Sequence, residues 1–241
     1  MNNNKFISNF KSITLAIFIA LIIRSFLAEP FNIPSGSMKP NLLVGDFIFV
    51  SKWSYGYSKH SLPFSLPIIP GKIFSTEPER GDVAVFKTPQ DNRTDYIKRI
   101  IGLPGDKIKI ANGSLIINDN VIFKKKVDDF IDINKYGDSK RIRKYKEFLF
   151  DNEIEILDIM DNGIADNTQL YIVPEDHFFV MGDNRDNSQD SRFINVVGYI
   201  PIKNLVGKAQ FIFFSLENSR FYQIWKWPQA IRYERIFKRI K

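Results

Sequence analysis

Two side chains in this 241-residue sequence are suited to do chemistry together: a serine in a turn of small residues and a lysine in an apolar run. Ser37 lies in Ile33-Pro34-Ser35-Gly36-Ser37-Met38, where Gly36 leaves room for its hydroxyl to stand clear of the backbone. A serine hydroxyl is a poor nucleophile until a neighbouring base takes its proton. The two histidines, His60 and His177, sit in loop-like surroundings, so a lysine is the better candidate base. Lys98 lies in Asp95-Tyr96-Ile97-Lys98-Arg99-Ile100-Ile101. Strand alternation puts Tyr96, Lys98 and Ile100 on one face, with Ile97, Arg99 and Ile101 on the other. If the lysine face is buried, loss of solvent lowers its pKa from about 10.4 and makes neutral amine available near neutral pH. Taken singly, a turn serine and a solvated strand lysine fit the same residues.

A third segment, Gly182 to Arg192, is too polar and too rich in turn formers for an ordinary strand. Its Asp and Asn side chains can hold a loop by bonding their own backbone. Within it Ser188 can orient a base, and Asp190 can pair with Arg192 or Arg185. Calcium is the alternative for so many acids, but EF-hand spacing and its terminal glutamate are missing. There is no cysteine and no His-Glu-x-x-His pattern, so thiol catalysis, disulfides and cysteine-ligated zinc are excluded; no metal or cofactor is expected.

These segments need a scaffold, and most of the chain reads as strand. Short β-branched and aromatic runs bounded by turn signals fall at Asp46 to Lys52, Asp82 to Phe86, Tyr96 to Ile101, Gln169 to Val173, Phe178 to Met181 and Val206 to Phe214. Lys107 to Ile110 and Leu115 to Ile117 flank Asn112-Gly113, a strong hairpin signal. The expected division is a β core over 30–123 and 168–219, interrupted by a charge-dense inserted lobe or ribbon over 124–167. Ahead of it lie a short cytoplasmic stretch, 1–11, and an anchor, 12–29, whose apolar run from Ile13 to Ile23 resumes after Arg24. A cleavable signal peptide is disfavoured, because a cut after Ala28 would put Phe26 where a small side chain is wanted and Pro30 just beyond the new terminus. Lys5 and Lys11 precede the span, which keeps the amino terminus cytoplasmic and sends the remainder across the membrane.

Basic residues number 34 against 27 acids, a net charge of +7 that favours anionic partners. The excess gathers in the basic, aromatic tail, 220–241, whose last part, 229–241, reads as an amphipathic helix lying on phospholipid. No nucleic-acid recognition motif accompanies the charge, so nucleic acid is not expected as a partner.

Together, the anchor, Glu29 to Met38, Gly45-Asp46, Arg80-Gly81-Asp82-Val83, Asp95 to Arg99, Gly102-Leu103-Pro104-Gly105-Asp106 and the Gly182 to Arg192 loop resemble, in order, the bacterial type I signal peptidases, or leader peptidases. The resemblance implies a mainly β fold: an antiparallel-sheet core with an inserted edge lobe and one preceding transmembrane helix. It implies an endopeptidase outside the cytoplasmic membrane that removes signal peptides from exported preproteins. Ser37 would be its nucleophile and Lys98 its general base. Ser188 would orient that base, with Asp190 and Arg192 bracing the loop. The Ser37 N–H and Ser35 hydroxyl would form an oxyanion hole. Phe31, Ile33, Met38, Leu42 and Ile97 would surround pockets for small residues one and three positions before the cut. After Arg192, Phe193 to Gly198 stands where many members carry Trp-Gly. A serine-lysine peptidase with a narrower clientele, and a silent peptide-binding β domain, are the alternatives.

Overall fold

A computed structural model describes residues 3–133, 137–217, 219 and 222–241. The helix α1 (Asn3–Ile22) runs through one wider turn, Ile23–Leu27, and stops where β1 (Ala28–Asn32) begins. Ser8–Leu27 is long and apolar enough to cross a bilayer, and its side chains are almost all exposed. The helix thus ends short of the expected boundary at 29. Pro30 has no N–H to continue it, and Glu29 turns inward to ion pairs with Arg24 at 2.5 Å and Lys52 at 2.9 Å.

After β2 (Asp46–Ser51) come a short pair, β3 (Tyr57–Ser58) and β4 (Lys72–Ile73), then β5 (Val83–Lys87) and β6 (Asp95–Gly102). The strands β7 (Lys107–Ala111), β8 (Ser114–Ile117) and β9 (Asn120–Val121) form a meander. Its first turn carries positive φ at both Asn112, 47°, and Gly113, 69°, the hairpin geometry that Asn-Gly favours. A ribbon follows, made of β10 (Lys124–Lys126), β11 (Phe130–Ile133), β12 (Ser139–Leu149) and β13 (Asn152–Asp158). The chain then returns through β14 (Tyr171–Ile172), β15 (His177–Met181), β16 (Ile200–Pro201) and the long β17 (Leu205–Ser215).

The main sheet is antiparallel throughout, in the order β1-β2-β17-β5-β6-β15-β16. Its middle strands are covered on both faces, so they read as continuous apolar runs. In β5, Val83 and Val85 enter one core cluster while Ala84 and Phe86 enter another. In β15, Phe178 and Val180 point to that second cluster, and Phe179 and Met181 to a third shared with the meander and ribbon. β2 is different. Ile48 and Val50 face the core, while Phe47 and Phe49 lie outward beside Phe211 and Phe213 of β17, with Phe49 and Phe213 ring centroids 4.5 Å apart.

The carboxyl-terminal segment does not form the expected helix over 229–241. Only Trp227–Ala230 is α-helical, and Tyr233–Arg235 makes a single tighter turn. Beyond it the chain runs beside β17, with Phe237 N–H donating to Ile212 C=O, Ile212 N–H to Lys238 C=O and Ile240 N–H to Gln210 C=O. Buried charge explains the change. Asp46 has no exposed surface and accepts a forked pair of bonds from Arg235 at 2.9 and 2.6 Å, plus one from the Ser215 hydroxyl. An isolated buried carboxylate is costly, so Arg235 is drawn inside and Ile240 follows onto the core.

Candidate active site

Ser37 lies in the loop between β1 and β2, and Lys98 stands mid-way along β6. Lys98 Nζ donates to Ser37 Oγ at 2.7 Å, and both residues are buried, 4 % and 8 % exposed. Ser35 Oγ is 3.4 Å from Ser37 Oγ. The aromatic face of Tyr96 lies under the ammonium at 5.4 Å, on the strand face that alternation assigns to both residues. Burial pulls the Lys98 pKa down to about 8 and Arg192 adds to the fall, while Asp190 and Asp183 oppose it.

The polar loop after β15 wraps this pair from the other side. Asn184 N–H donates to Ser37 C=O at 3.0 Å and its Nδ2 to Gly36 C=O at 3.0 Å, so the loop grips the serine turn by its backbone. Asp190 accepts from Arg192 Nε and Nη2, both at 2.8 Å, and from Gly182 N–H at 3.0 Å. Burial alone would raise the Asp190 pKa, but Arg192 and the Gly182 N–H hold it below its usual range. Arg185 does not join Asp190. It makes a forked pair with Glu147 of β12, so the sequence alternative of an Asp190–Arg185 pair is not realised. Ser188 Oγ is buried near enough to Asp190 to help hold that carboxyl down, but it makes no well-formed hydrogen bond among the described residues. It is packed so close to Gly182 that a Cβ there would lie 2.2 Å from it and 2.6 Å from Ser37 C=O. Only glycine allows that approach.

Several residues escaped sequence reasoning. Arg99, fully buried, holds Asp183 through two bonds of 2.7 Å and donates to Gly81 C=O and the Lys241 main-chain oxygen. Asn41 Nδ2 also reaches Asp183, at 2.8 Å. Asp186 accepts from Ile159 and Met160 N–H groups of the ribbon, and Lys39, two residues past Ser37, pairs with Asp132 of β11 at 2.5 Å. The density of Asp and Asn after Gly182 signalled a network; Glu147 and Asp132 carried no signal at all.

The expected pocket residues do come together. Ile33, Met38 and Leu42 are buried at 2, 0 and 0 % exposure in one cluster with Val85, Ala209 and Ile212, and Phe31 and Ile97 pack on it, half-buried. Of the cavities of about 250 to 650 Å³ among the described residues, one is lined by Phe31, and none of the four is lined by Ser37 or Lys98. Among the described residues no group of His, Asp and Glu side chains has the arrangement to hold a metal ion.

The molecule is thus an antiparallel β domain with one apolar helix, in which a buried hydroxyl is hydrogen-bonded to an amine of lowered pKa beside an apolar cluster of the main sheet. Residues 6–214 match the family model "Signal peptidase, peptidase S26", and the chain belongs to that family. It is 41% identical over 250 residues to Signal peptidase I of Rickettsia typhi (strain ATCC VR-144 / Wilmington), covering 96% of this chain and 92% of that one. With Signal peptidase I of Rickettsia canadensis (strain McKiel) it shares 39% identity over 259 residues, 99% of this chain and 96% of the relative. A crystal structure of a signal peptidase I from Enterococcus faecalis V583 is 24% identical with a TM-score of 0.32, covering 55% of this chain and 97% of that one.

Proposed function

We propose that this chain removes amino-terminal signal peptides from exported preproteins by serine–lysine catalysis, and the 2.7 Å bond between Lys98 Nζ and Ser37 Oγ carries that reading. The neutral Lys98 amine takes the Ser37 proton as Oγ attacks the scissile carbonyl. The resulting ammonium returns that proton to the leaving amine nitrogen. A water then repeats the cycle on the acyl ester, with Lys98 again as base. Asp190 and Arg192 fix the loop that carries Ser188, whose hydroxyl, not bonded to Lys98 in the free enzyme, would orient the amine during the reaction. The Ser35 hydroxyl and the Ser37 N–H receive the developing oxyanion, a contribution of about 3–4 kcal/mol per donor.

Substrate choice follows from the apolar cluster. β1 is an edge strand of the main sheet, and an extended peptide can add alongside it. The floor made by Ile33, Met38 and Leu42 is closely packed, so with Phe31 and Ile97 it leaves space for small side chains, one and three positions before the cut. The helix ending at Leu27 anchors the enzyme in the cytoplasmic membrane, with the amino terminus cytoplasmic and the β core on the outer face. The outward aromatic surface of β2 and β17 lies beside the helix end and would rest on phospholipid; Phe49 and Ala20 line one cavity there. In this reading the ribbon over 124–167 is an insertion into a single core.

Cleavage of a purified preprotein carrying a small-x-small site, followed by sequencing of the new amino terminus, tests the function. Wild type is expected to cut after the second small residue and Ser37→Ala not at all. A folded wild type that leaves a panel of such preproteins intact would contradict the reading and favour a narrow clientele.

A further inference from the structure

The cavity at the foot of the anchor touches the reaction above only through Phe31, which lines one side of it. It encloses about 250 Å³, far beyond the ~15 Å³ a single water occupies. Arg24, from the last turns of the span, and Glu29, Lys52, His60, Lys87 and Asp95 supply its charged and titratable lining. Two carboxylates thus face one guanidinium and two lysines.

The donors there are not exhausted. Lys52 is 1 % exposed and uses its ammonium on Glu29 at 2.9 Å and Ser61 C=O at 2.9 Å. Lys87 bonds Asp95 and Arg93 C=O, both at 2.8 Å. An ammonium has three N–H donors, so each lysine keeps one beyond these bonds. Arg24 meets Glu29 through Nε and Nη2, which leaves the Nη1 side of its fork. His60 is 5 % exposed, its Nδ1 is 3.1 Å from the Ser65 hydroxyl, and its Nε2 is buried without a partner among the described residues. Burial, with Lys59, Lys87 and Lys72 around the ring, lowers the His60 pKa to about 4. The ring is therefore neutral at physiological pH, and in the tautomer whose Nδ1 accepts from the Ser65 hydroxyl it presents Nε2–H as a donor. Burial also lowers the Lys52 pKa, although Glu29 opposes the shift. The site is short of negative charge and holds outstanding N–H donors on four residues, which an anion with several acceptor oxygens would satisfy.

We propose that this cavity binds a phosphate group, held by His60 Nε2–H and the remaining N–H donors of Lys52, Lys87 and Arg24. The geometry of the cavity is independent of any membrane. That its phosphate comes from a lipid headgroup at the bilayer surface rests on reading Ser8–Leu27 as a span.

The sequence contains two histidines, so ring-15N histidine spectra of the full chain in a phosphate-free nonionic detergent report on the site directly, with His177→Gln assigning the signals. The chain is titrated with inorganic phosphate and, separately, with short-chain phosphatidylglycerol, against chloride at matched ionic strength. The His60 signals are expected to move saturably while those of His177 stay. Lys52→Gln and the more exposed Lys87→Gln should each weaken the apparent affinity about tenfold or more. Movement with inorganic phosphate supports a site for the anion itself, and movement with the lipid alone supports the headgroup as its source. Unmoved His60 signals in a folded chain would overturn the proposal. So would an equal response to chloride, or a response to a phosphate-free signal peptide but to neither phosphate probe. The readout is independent of cleavage, so its failure leaves the peptidase reading standing.

Discussion

Lys98 and Arg99 are adjacent basic residues on opposite faces of β6, and their surroundings give them opposite electrostatic settings. Arg99 meets a carboxylate in a forked pair, so its charge is compensated inside the fold. Lys98 has a hydroxyl and an aromatic face in place of a carboxylate in contact, and burial brings its pKa to about 8. Ammonium therefore predominates below pH 8 and neutral amine above it. At pH 7 roughly a tenth of the molecules hold the neutral base. Because the base form is the neutral one, kcat/KM for a soluble peptide substrate is expected to rise with pH and level off above about 8, falling about tenfold per unit below it. A flat profile between pH 6 and 9 would show that the titration of Lys98 does not limit the reaction. Turn chemistry, strand alternation and resemblance together point from the sequence to the pairing of Ser37 with Lys98, 61 residues apart. What sequence could not show was how Ser188 is accommodated, since its closeness to Gly182 depends on two segments meeting in space.

At the scale of elements, the loop from Gly182 to Arg192 is held as much by the ribbon as by its own turns. Leu157 N–H donates to Asp183 C=O at 2.8 Å, Asp186 caps the chain leaving β13, and Glu147 of β12 neutralises Arg185. Glu147 has no exposed surface and Arg185 very little. Replacing Glu147 with Ala strands a buried guanidinium, and the expected loss of stability in urea unfolding is about 3–5 kcal/mol. A loss below about 1 kcal/mol would mean that water reaches Arg185 and that the ribbon is not a brace. The core strands were legible because their β-branched runs and turn residues are local signals; the Asn112-Gly113 hairpin formed as its residues require. The ribbon's place was not, because Glu147 and Asp132 answer to Arg185 and Lys39, far away in the sequence. The tail misled for a related reason. Its alternation of basic and apolar residues suits a surface helix, but the buried Asp46 draws in Arg235, and β17 offers backbone partners.

For the whole molecule, the apolar helix leads into the main sheet that carries Lys98 and the outward phenylalanines of β2 and β17, and Ser37 sits in the loop between its first two strands. A substrate with its own apolar segment in the bilayer would meet the enzyme there in two dimensions. Placing Asp at both Phe49 and Phe213 should therefore slow cleavage of a preprotein in vesicles several-fold while leaving a soluble peptide substrate nearly unaffected, with both rates measured on the same preparation. Equal loss on both substrates would assign those rings to folding alone. The central claim is narrower: the Lys98 amine is the base that activates Ser37. It is tested most directly by kcat/KM for Lys98→Ala, with circular dichroism and a denaturation midpoint showing the variant to be folded. The account predicts a fall on the order of 10³-fold or more. A folded Lys98→Ala enzyme within about tenfold of wild type would contradict it, since Ser37 would then need another base.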